Sequence, residues 1–448
     1  MSDLSVLTIK VTFGWVNNQN NLTNLSAEPQ NNHDPYQALR FRDFRIFLGV
    51  RFLLTLSVQM QAVIVGWQLY EITKDPLSLG LIGLTEAIPA LSISMYAGHI
   101  VDLFDRRKIL TLSYLSLLVT VVLLIFFTLN LQSWLEMMGT LPIYIAIFFT
   151  GLARGFIAPA NFALLSQLVP KKLYMNASTW NSSIWQIGAI TGPAVGGLVY
   201  GFFNAQVGYI SVGVMFILGM LLLRFLKDYP VKAAKITEGF KERLFSGVRF
   251  VFKNEIILGA ISLDLFAVLF GGAVALLPVF AADILFIGPK GLGLLRSAPA
   301  VGSALMGLIL AHRSPMKNAG KNMLWAVAGF GISMIAFALS KNFYFSLFCL
   351  FLSGALDNIS VVIRFTILQL LTPDDMRGRV SAVNSMFIGS SNEIGAFESG
   401  VAARLMGTVA SVVFGGGMTM LTVMLTWWKS SELKNLNLSD LTAHDDEE

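Results

Sequence analysis

The chain has 448 residues, of which 55% are hydrophobic and only 13% are charged. Soluble globular domains carry about 25% charged residues, so this composition excludes an ordinary water-soluble enzyme. It also excludes a disordered chain, which requires low hydrophobicity. A single cysteine excludes a disulfide framework and a cysteine-based zinc site, and four histidines argue against a histidine-rich metal site.

A polar arm is the first predicted element, because residues 1–34 are largely polar and rich in Asn, and we expect them to be disordered. Twelve mostly apolar stretches follow, each near the length of about 20 residues that a membrane-crossing helix needs. Their approximate limits are 44–70, 78–102, 109–130, 142–166, 177–201, 206–226, 256–281, 290–311, 323–340, 343–370, 380–403 and 408–428. Because unpaired backbone groups are costly in lipid, the sequence predicts an all-α membrane protein with twelve transmembrane helices.

Sequence features recur in the two halves of the chain at an offset of about 203 residues. Thr150-Gly151 and Leu168-Val169-Pro170 are echoed by Ser353-Gly354 and Leu371-Thr372-Pro373. The echoes predict two pseudo-symmetric six-helix bundles around a central cavity, which is a transporter layout. The predicted units are a bundle at 35–226, a cytoplasmic linker at 227–255, a bundle at 256–428 and a cytoplasmic tail at 429–448.

Basic residues are distributed unevenly between the two sets of loops. If the N-terminus is cytoplasmic, the loops on that side hold about 22 Lys and Arg residues, and the opposite loops hold about 4. Basic residues in short loops favour the cytoplasmic side. We therefore expect a multi-pass protein of the bacterial inner membrane with both termini in the cytoplasm. The same rule explains the basic loops without a nucleic-acid partner.

The loop after the second stretch combines a small residue, an acid and a basic cluster: Gly98, Asp102, Arg106 and Arg107. Gly98 would allow close helix contact, and Asp102 could meet a helix N-terminus or an arginine and hold one conformation. A simple positively charged loop is the alternative. The spacing resembles the loop signature of the major facilitator superfamily, which favours the conformational latch.

The fifth stretch contains the pattern G-x-x-x-G-P-x-x-G-G, carried by Gly188, Gly192, Pro193, Gly196 and Gly197. Small residues let helices approach closely, and a proline adds a bend. Generic small-residue packing is the alternative. The pattern resembles the signature of proton-coupled exporters in the same superfamily, which favours efflux over uptake.

Three further motifs, Tyr36–Phe44, Phe104–Lys108 and Pro373–Ala382, resemble the transmembrane secretion effector branch of that superfamily. This branch is similar to enterobactin exporters and macrolide efflux proteins. The resemblance covers about residues 34–430 and implies the major facilitator fold. It also implies that spans one, four, seven and ten line the cavity.

Ionisable side chains inside the apolar stretches are functional candidates, because they are costly in lipid. Glu86 and Arg154 in the first half have Arg296 and Asp357 as repeat mates, with the signs exchanged. We expect one compensating pair in each half, Glu86 with Arg154 and Arg296 with Asp357. A proton arriving at the carboxylate would release its arginine. A static pair that sets helix packing is the alternative.

The resemblance makes Arg51, Gln59, Asp264 and Arg364 candidates for substrate or proton contact. Asp264 lies shortly after the linker, so a wet cytoplasmic mouth is an alternative place for it. Trp67 could stack on an aromatic substrate, although such residues more often fill cores or interface belts.

Glu393 and Glu398 flank Gly395 and are candidates for the interface between the halves. No catalytic set or phosphate-binding loop is visible, so we expect neither an enzyme nor ATP-driven transport, and no cofactor. The sequence predicts a monomeric secondary transporter that exports a small amphiphilic compound (a drug, a siderophore or a lysolipid) in exchange for protons. An importer on the same fold and a membrane scaffold or sensor without transport are the alternatives.

Overall fold

A computed structural model describes residues 34–227, 229, 240–312, 318–373 and 376–437. The predicted arm at 1–34, apart from Asp34, lies outside the described residues. So do the centre of the predicted linker and the end of the predicted tail.

Twelve long helices account for most of the described residues. They are α1 Arg42–Thr73, α2 Pro76–Leu103, α3 Arg106–Leu129, α4 Leu141–Leu168, α5 Tyr174–Phe202, α6 Ala205–Arg224, α7 Glu255–Gly271, α8 Gly288–Ala311, α9 Ala319–Leu339, α10 Phe343–Leu371, α11 Arg377–Met406 and α12 Thr408–Lys429. The α7 span continues through the 3₁₀ turn Ala273–Leu276, the helical turn Leu277–Val279 and the π-helical turn Phe280–Ile284. Shorter helices lie at Gln37–Arg40, Leu131–Met138, Lys171–Leu173, Phe240–Lys253 and Ser431–Lys434.

Five of the long helices begin at an Asp or Asn whose side chain accepts a hydrogen bond from a backbone N–H of the first turn. The capping residues are Asp75, Asp105, Asn204, Asn254 and Asn342. The first N–H groups of a helix have no partner within the helix, and such caps satisfy one of them. These loop residues therefore fix where α2, α3, α6, α7 and α10 start.

Ten helices among the described residues are long and apolar enough to cross a membrane. Of the twelve long helices, α5 and α11 fall below that mark, because they carry many Ser, Asn and Thr residues and, in α11, Arg and Glu. Both helices hold the same place in their halves. They are also two of the four helices that join the halves, so part of their surface faces protein instead of lipid.

The helix contacts repeat with a shift of six helices. In the first half α1 contacts α5 and α6, α2 contacts α4, and α3 contacts α4 and α6. In the second half α7 contacts α11 and α12, α8 contacts α10, and α9 contacts α10 and α12. The main contacts between the halves, α2 with α11 and α5 with α8, also exchange under this shift. The twelve helices therefore form two pseudo-symmetric six-helix bundles, as the repeat predicts.

Backbones touch where the two halves meet. A Cβ added to Gly80 of α2 would lie 3.0 Å from the Cα of Gly400 on α11, and one added to Gly197 of α5 would lie 2.8 Å from the Cα of Gly293 on α8. Real Cβ atoms are essentially never found closer than 3.0 Å to such atoms. Glycine at these positions permits the close approach of the helices.

Polar links between the halves lie between the middle of the helices and one end, which we call the closed end. At this end α1 meets α2 and α7 meets α8. Between mid-depth and the closed end, Tyr70 OH donates a hydrogen bond to Asp283, and Arg404 forms an ion pair with Asp75 at 3.3 Å. In the same region Ser297 Oγ donates a hydrogen bond to the Ile190 carbonyl at 2.7 Å. An apolar cluster with residues from both halves, including Tyr70, Leu79, Phe280 and Leu295, fills the same region. We call the opposite end, where the linker joins the bundles, the open end.

Candidate functional site

A three-residue ion cluster crosses between the halves near mid-depth. Arg154 Nη1 lies 2.5 Å from Glu86 Oε1 and 3.1 Å from Glu393 Oε1. Glu86 and Arg154 stand on α2 and α4 of the first half, and Glu393 stands on α11 of the second. One guanidinium therefore holds carboxylates from both bundles, with charge-assisted hydrogen bonds.

The cluster lies deep in the bundle, yet its side chains are not fully packed. The side chain of Arg154 is 44% exposed, and those of Glu86 and Glu393 are 16% and 22% exposed. The apolar cluster and the links between the halves fill the interface on the side of the closed end. Pairing opposite charges lowers the cost of keeping three ionised groups at this depth.

The structure brings Glu86 and Arg154 together, but it does not pair Arg296 with Asp357, so that expectation is wrong. Arg296 Nη1 instead points across the interface towards the Ala62 carbonyl of α1, at 3.5 Å. Asp357 forms no ion pair with another described residue. The two halves therefore share a fold but not a charge arrangement.

Asp264 on α7 and Arg364 on α10 form an ion pair. The sequence analysis named both residues as candidates but did not predict that they pair. Their side chains are only 5% and 2% exposed, so Asp264 lies in packed protein and not in a wet mouth. The Arg364 guanidinium also lies over the ring of Phe365, 5.7 Å from its centroid. Arg364 Nε forms no hydrogen bond with another described residue.

Arg51, Gln59 and Trp67 lie along α1 in three different settings. Arg51 forms no ion pair with a described residue, and its Nε is buried without a partner. Gln59 packs against Gly192 of α5, where an added Cβ would lie 2.6 Å from the Gln59 Cβ. Trp67 is partly buried against the apolar cluster at the closed end, which places it among core-filling side chains.

The predicted latch is only partly described, because the side chain of Asp102 lies outside the described residues. Among the described residues, no atom lies within 4 Å of a Cβ added to Gly98, so none of them makes the expected close helix contact there. Arg106 is buried, at 8% exposure. Arg107 donates to the carbonyls of Arg224 and Leu226 at 3.0 and 2.8 Å, which places a positive charge at the C-terminal end of α6, where the helix dipole favours it.

The glycine motif of α5 faces two different helices. Gly188, Gly192 and Gly196 pack against α1, and an added Cβ on each would lie 3.0 Å or less from Thr55, Gln59 or Met60 atoms. Gly197 faces α8, as does the Pro193 carbonyl, which approaches Gly293. The motif lets α5 lie between its own bundle and the other one.

Sequence reasoning placed Glu393 only at the interface and missed it as a partner of Arg154. It also missed the links made by Tyr70, Asp75 and Arg404. The signal for Glu393 was its place beside Gly395 in a polar span that had to face protein. The other links involve residues at helix ends, where charged and aromatic side chains are ordinary.

A two-bundle membrane protein whose halves share an ion cluster near mid-depth and are linked at one end has the architecture of a solute transporter. The family model of the Major Facilitator Superfamily matches residues 47–396, and the chain belongs to this superfamily of membrane transporters.

Two curated relatives extend over most of the chain. The enterobactin exporter of Shigella flexneri is 25% identical over 388 residues, which cover 85% of this chain and 90% of that protein. The enterobactin exporter of Escherichia coli O1:K1 is 26% identical over the same length and shares. The chain is thus similar to exporters along nearly their whole length.

Solved structures of other transporters share the fold. The nucleoside transporter NupG superposes with a TM-score of 0.69 at 12% identity, covering 86% of this chain and 98% of that one. The xylose transporter XylE from E. coli, in an inward open conformation, superposes with a TM-score of 0.66 at 13% identity, covering 90% and 99%.

Proposed function

We propose that the protein is a proton-coupled secondary transporter that exports a small amphiphilic compound from the cytoplasm by alternating access. The observation that carries this proposal is the contact of Arg154 with carboxylates from both halves. The similarity to enterobactin exporters supports the direction of transport. Drugs, siderophores and lysolipids are the compound classes to test, and the protein acts as a monomer.

The ion cluster offers a way to couple protons to conformation. With both carboxylates ionised, Arg154 ties α11 to α2 and α4 and favours the closed end. Protonation of Glu393 neutralises its carboxylate and removes one of the two ion pairs of Arg154. A hydrogen bond to a charged group contributes roughly 1.5–3 kcal/mol, so its loss shifts the balance between the two states by about tenfold or more. Protonation from outside and substrate from inside would then alternate.

The orientation follows from the distribution of Lys and Arg. Both termini and the open end face the cytoplasm, and the closed end faces the opposite side of the membrane. In this orientation the described conformation is inward-facing, ready to accept a substrate from the cytoplasm.

Transport in inside-out vesicles tests the proposal. A growth screen of cells with and without the protein, over drugs, siderophores and lysolipids, first selects the compound. Wild type should accumulate that compound inside inside-out vesicles when their interior is acidic, because protons then flow out as the compound enters. Accumulation only in right-side-out vesicles would establish an importer and contradict export.

The Glu393→Gln variant tests the coupling residue. It should fold, judged by its thermal unfolding temperature, and lose the response of transport to the imposed proton gradient. Glu136→Gln is the matched control, because Glu136 is an exposed carboxylate on the short helix Leu131–Met138, where it accepts a hydrogen bond from Gln132 of the same helix at 2.9 Å. If transport by the two variants responded equally to the proton gradient, Glu393 would not be a coupling residue. Flux that is no greater with the wild-type protein than in vesicles without it would favour a scaffold or sensor.

A further inference from the structure

The pseudo-symmetry can be fixed residue by residue from helix contacts. A Cβ on Gly192 of α5 would lie 2.9 Å from the Leu56 carbonyl of α1, and one on Gly395 of α11 would lie 2.6 Å from the Leu269 carbonyl of α7. Positions in α1 and α7 therefore correspond at an offset of 213 residues, and those in α5 and α11 at 203.

The fourth helix of each half has the same 203-residue offset. Gly151 of α4 packs against Pro89 of α2, and Gly354 of α10 packs against Pro299 of α8. The helix pairs α1 with α4 and α7 with α10 also contact each other in both halves.

These offsets place Arg51 where the second half has Asp264, and Asn161 where it has Arg364. In the second half the two positions are joined by a buried ion pair. The pseudo-symmetry therefore predicts that Arg51 and Asn161 face each other between α1 and α4, with a different set of groups from the second half.

The pair in the first half carries one positive charge and no carboxylate. Arg51 Nε and Asn161 Nδ2 are both buried, and no other described residue forms a hydrogen bond with either atom. Asn161 is only 6% exposed. The nearby phenol of Tyr114 donates its hydrogen to the Val50 carbonyl, 2.8 Å away, and supplies no negative charge. Buried donors without an acceptor are costly, and a buried cation without a partner more so.

Both residues lie in the part of the first bundle that is nearer the open end. Arg51 lies nine residues after the start of α1, and Asn161 lies seven residues before the end of α4. At 1.5 Å per residue they are roughly 10–14 Å from the open end of the bundle. Arg51 is also about 20° around α1 from Ala62, whose carbonyl accepts from Arg296 of the other half, so it lies on the side of α1 that faces the other bundle.

We propose that Arg51 and Asn161 bind the anionic group of the transported compound, a carboxylate, sulfonate or phosphate carried on an apolar body. The anion completes in the first half the ion pair that Asp264 completes in the second. This inference rests on the proposed transport function and adds the charge of the substrate to it. The guanidinium supplies charge-assisted hydrogen bonds, and the amide N–H adds geometric selectivity.

Binding of three matched probes to the purified protein in nanodiscs tests this assignment. The probes are 2-naphthoate, 2-naphthylmethanol and 2-naphthylmethylammonium, which share one ring system and differ in charge. A ligand that binds the folded state raises the thermal unfolding temperature. Naphthoate should raise this temperature at millimolar concentration, and the neutral and cationic probes should raise it much less. An equal response to all three, a response to the cation alone, or no response to any probe would overturn the proposal.

Two variants locate the binding. Arg51→Gln should weaken naphthoate binding roughly tenfold to a hundredfold, the effect expected for losing a hydrogen bond to a charged group. Arg45→Gln removes an equal charge from an exposed position of the same helix and should leave binding unchanged.

Asn161→Asp places a carboxylate opposite Arg51 and rebuilds the ion pair of the second half. It should keep or raise the unfolding temperature while abolishing the naphthoate response, which a merely structural role would not predict. Naphthoate binding that survives in Asn161→Asp would overturn the proposal. These binding measurements are made at equilibrium and do not depend on vesicle flux. Active transport of a cation would contradict this inference alone. An absence of flux would contradict the transport function alone.

Discussion

Two ion pairs in this protein have the same chemistry and very different surroundings. Asp264 and Arg364 are 5% and 2% exposed, whereas Arg404 and Asp75 at the closed end are 59% and 33% exposed. A buried pair is weak evidence for net stability, but breaking it leaves an uncompensated charge in packed protein. An exposed pair contributes little, because water screens it.

Asp264→Asn should lower the free energy of unfolding by about 3–5 kcal/mol, because Arg364 is left charged and buried. The thermal unfolding temperature in detergent or nanodiscs measures the loss. The double variant Asp264→Leu with Arg364→Met should recover most of it, since the charge is removed with its partner.

The matched control is Asp75→Asn, which breaks the exposed pair and should cost about 1 kcal/mol or less. Similar losses from Asp264→Asn and Asp75→Asn would show that water reaches Asp264, contrary to its burial.

Helix α5 depends on the small residues that allow it to lie against two bundles at once. Three of its glycines face α1, and Gly197 faces α8. A Cβ added at any of these positions would lie 3.0 Å or less from backbone or side-chain atoms of the facing helix, so a side chain there has no space to occupy. In lipid, such close approach replaces the hydrophobic driving force that water supplies in soluble proteins.

Gly192→Val should destabilise the protein by about 1–3 kcal/mol, the usual cost of overpacking a tight contact. Its added Cβ would lie 2.6 Å from the Gln59 Cβ and 2.9 Å from the Leu56 carbonyl. Gly417→Val is the control, because no atom lies within 4 Å of a Cβ there. Unfolding temperatures of the two variants should differ, and a harmless Gly192→Val would mean that α5 and α1 are separable.

At the scale of the whole molecule, the polar links and the apolar cluster at the closed end hold that end together. Tyr70 with Asp283 and Asp75 with Arg404 each join one half to the other. Any route to the opposite conformation has to break these contacts. Their strength therefore sets how much of the time the closed end stays closed.

The double variant Tyr70→Phe with Arg404→Gln should raise roughly tenfold the population of molecules in which the two halves have separated at the closed end. This is the effect of losing one hydrogen bond to a charged group. Spin labels at Lys74 and Lys341, both exposed, in a Cys349→Ser background should report longer distances by electron paramagnetic resonance. Arg40→Gln breaks an ion pair to Asp34 inside the first half and should leave the distances unchanged. Identical distance distributions in all three proteins would contradict the closing role.

Much of this architecture is readable from the sequence, because span length and apolar content are local properties. The predicted stretches at 343–370 and 408–428 fall within a residue of Phe343–Leu371 and Thr408–Lys429. The pairing of Glu86 with Arg154 is also readable, since isolated charges in lipid need partners. Pairing Arg296 with Asp357 failed because the rotation of each helix about its axis is set by packing, which one sequence does not reveal.

The glycine contacts at both junctions have a mechanical consequence. Where Gly80 meets Gly400 and Gly197 meets Gly293, few side chains interlock across the boundary. At these two glycine contacts, a tilt of one bundle against the other would therefore meet little steric resistance. The resistance to such a tilt would come from the polar links and the apolar cluster at the closed end.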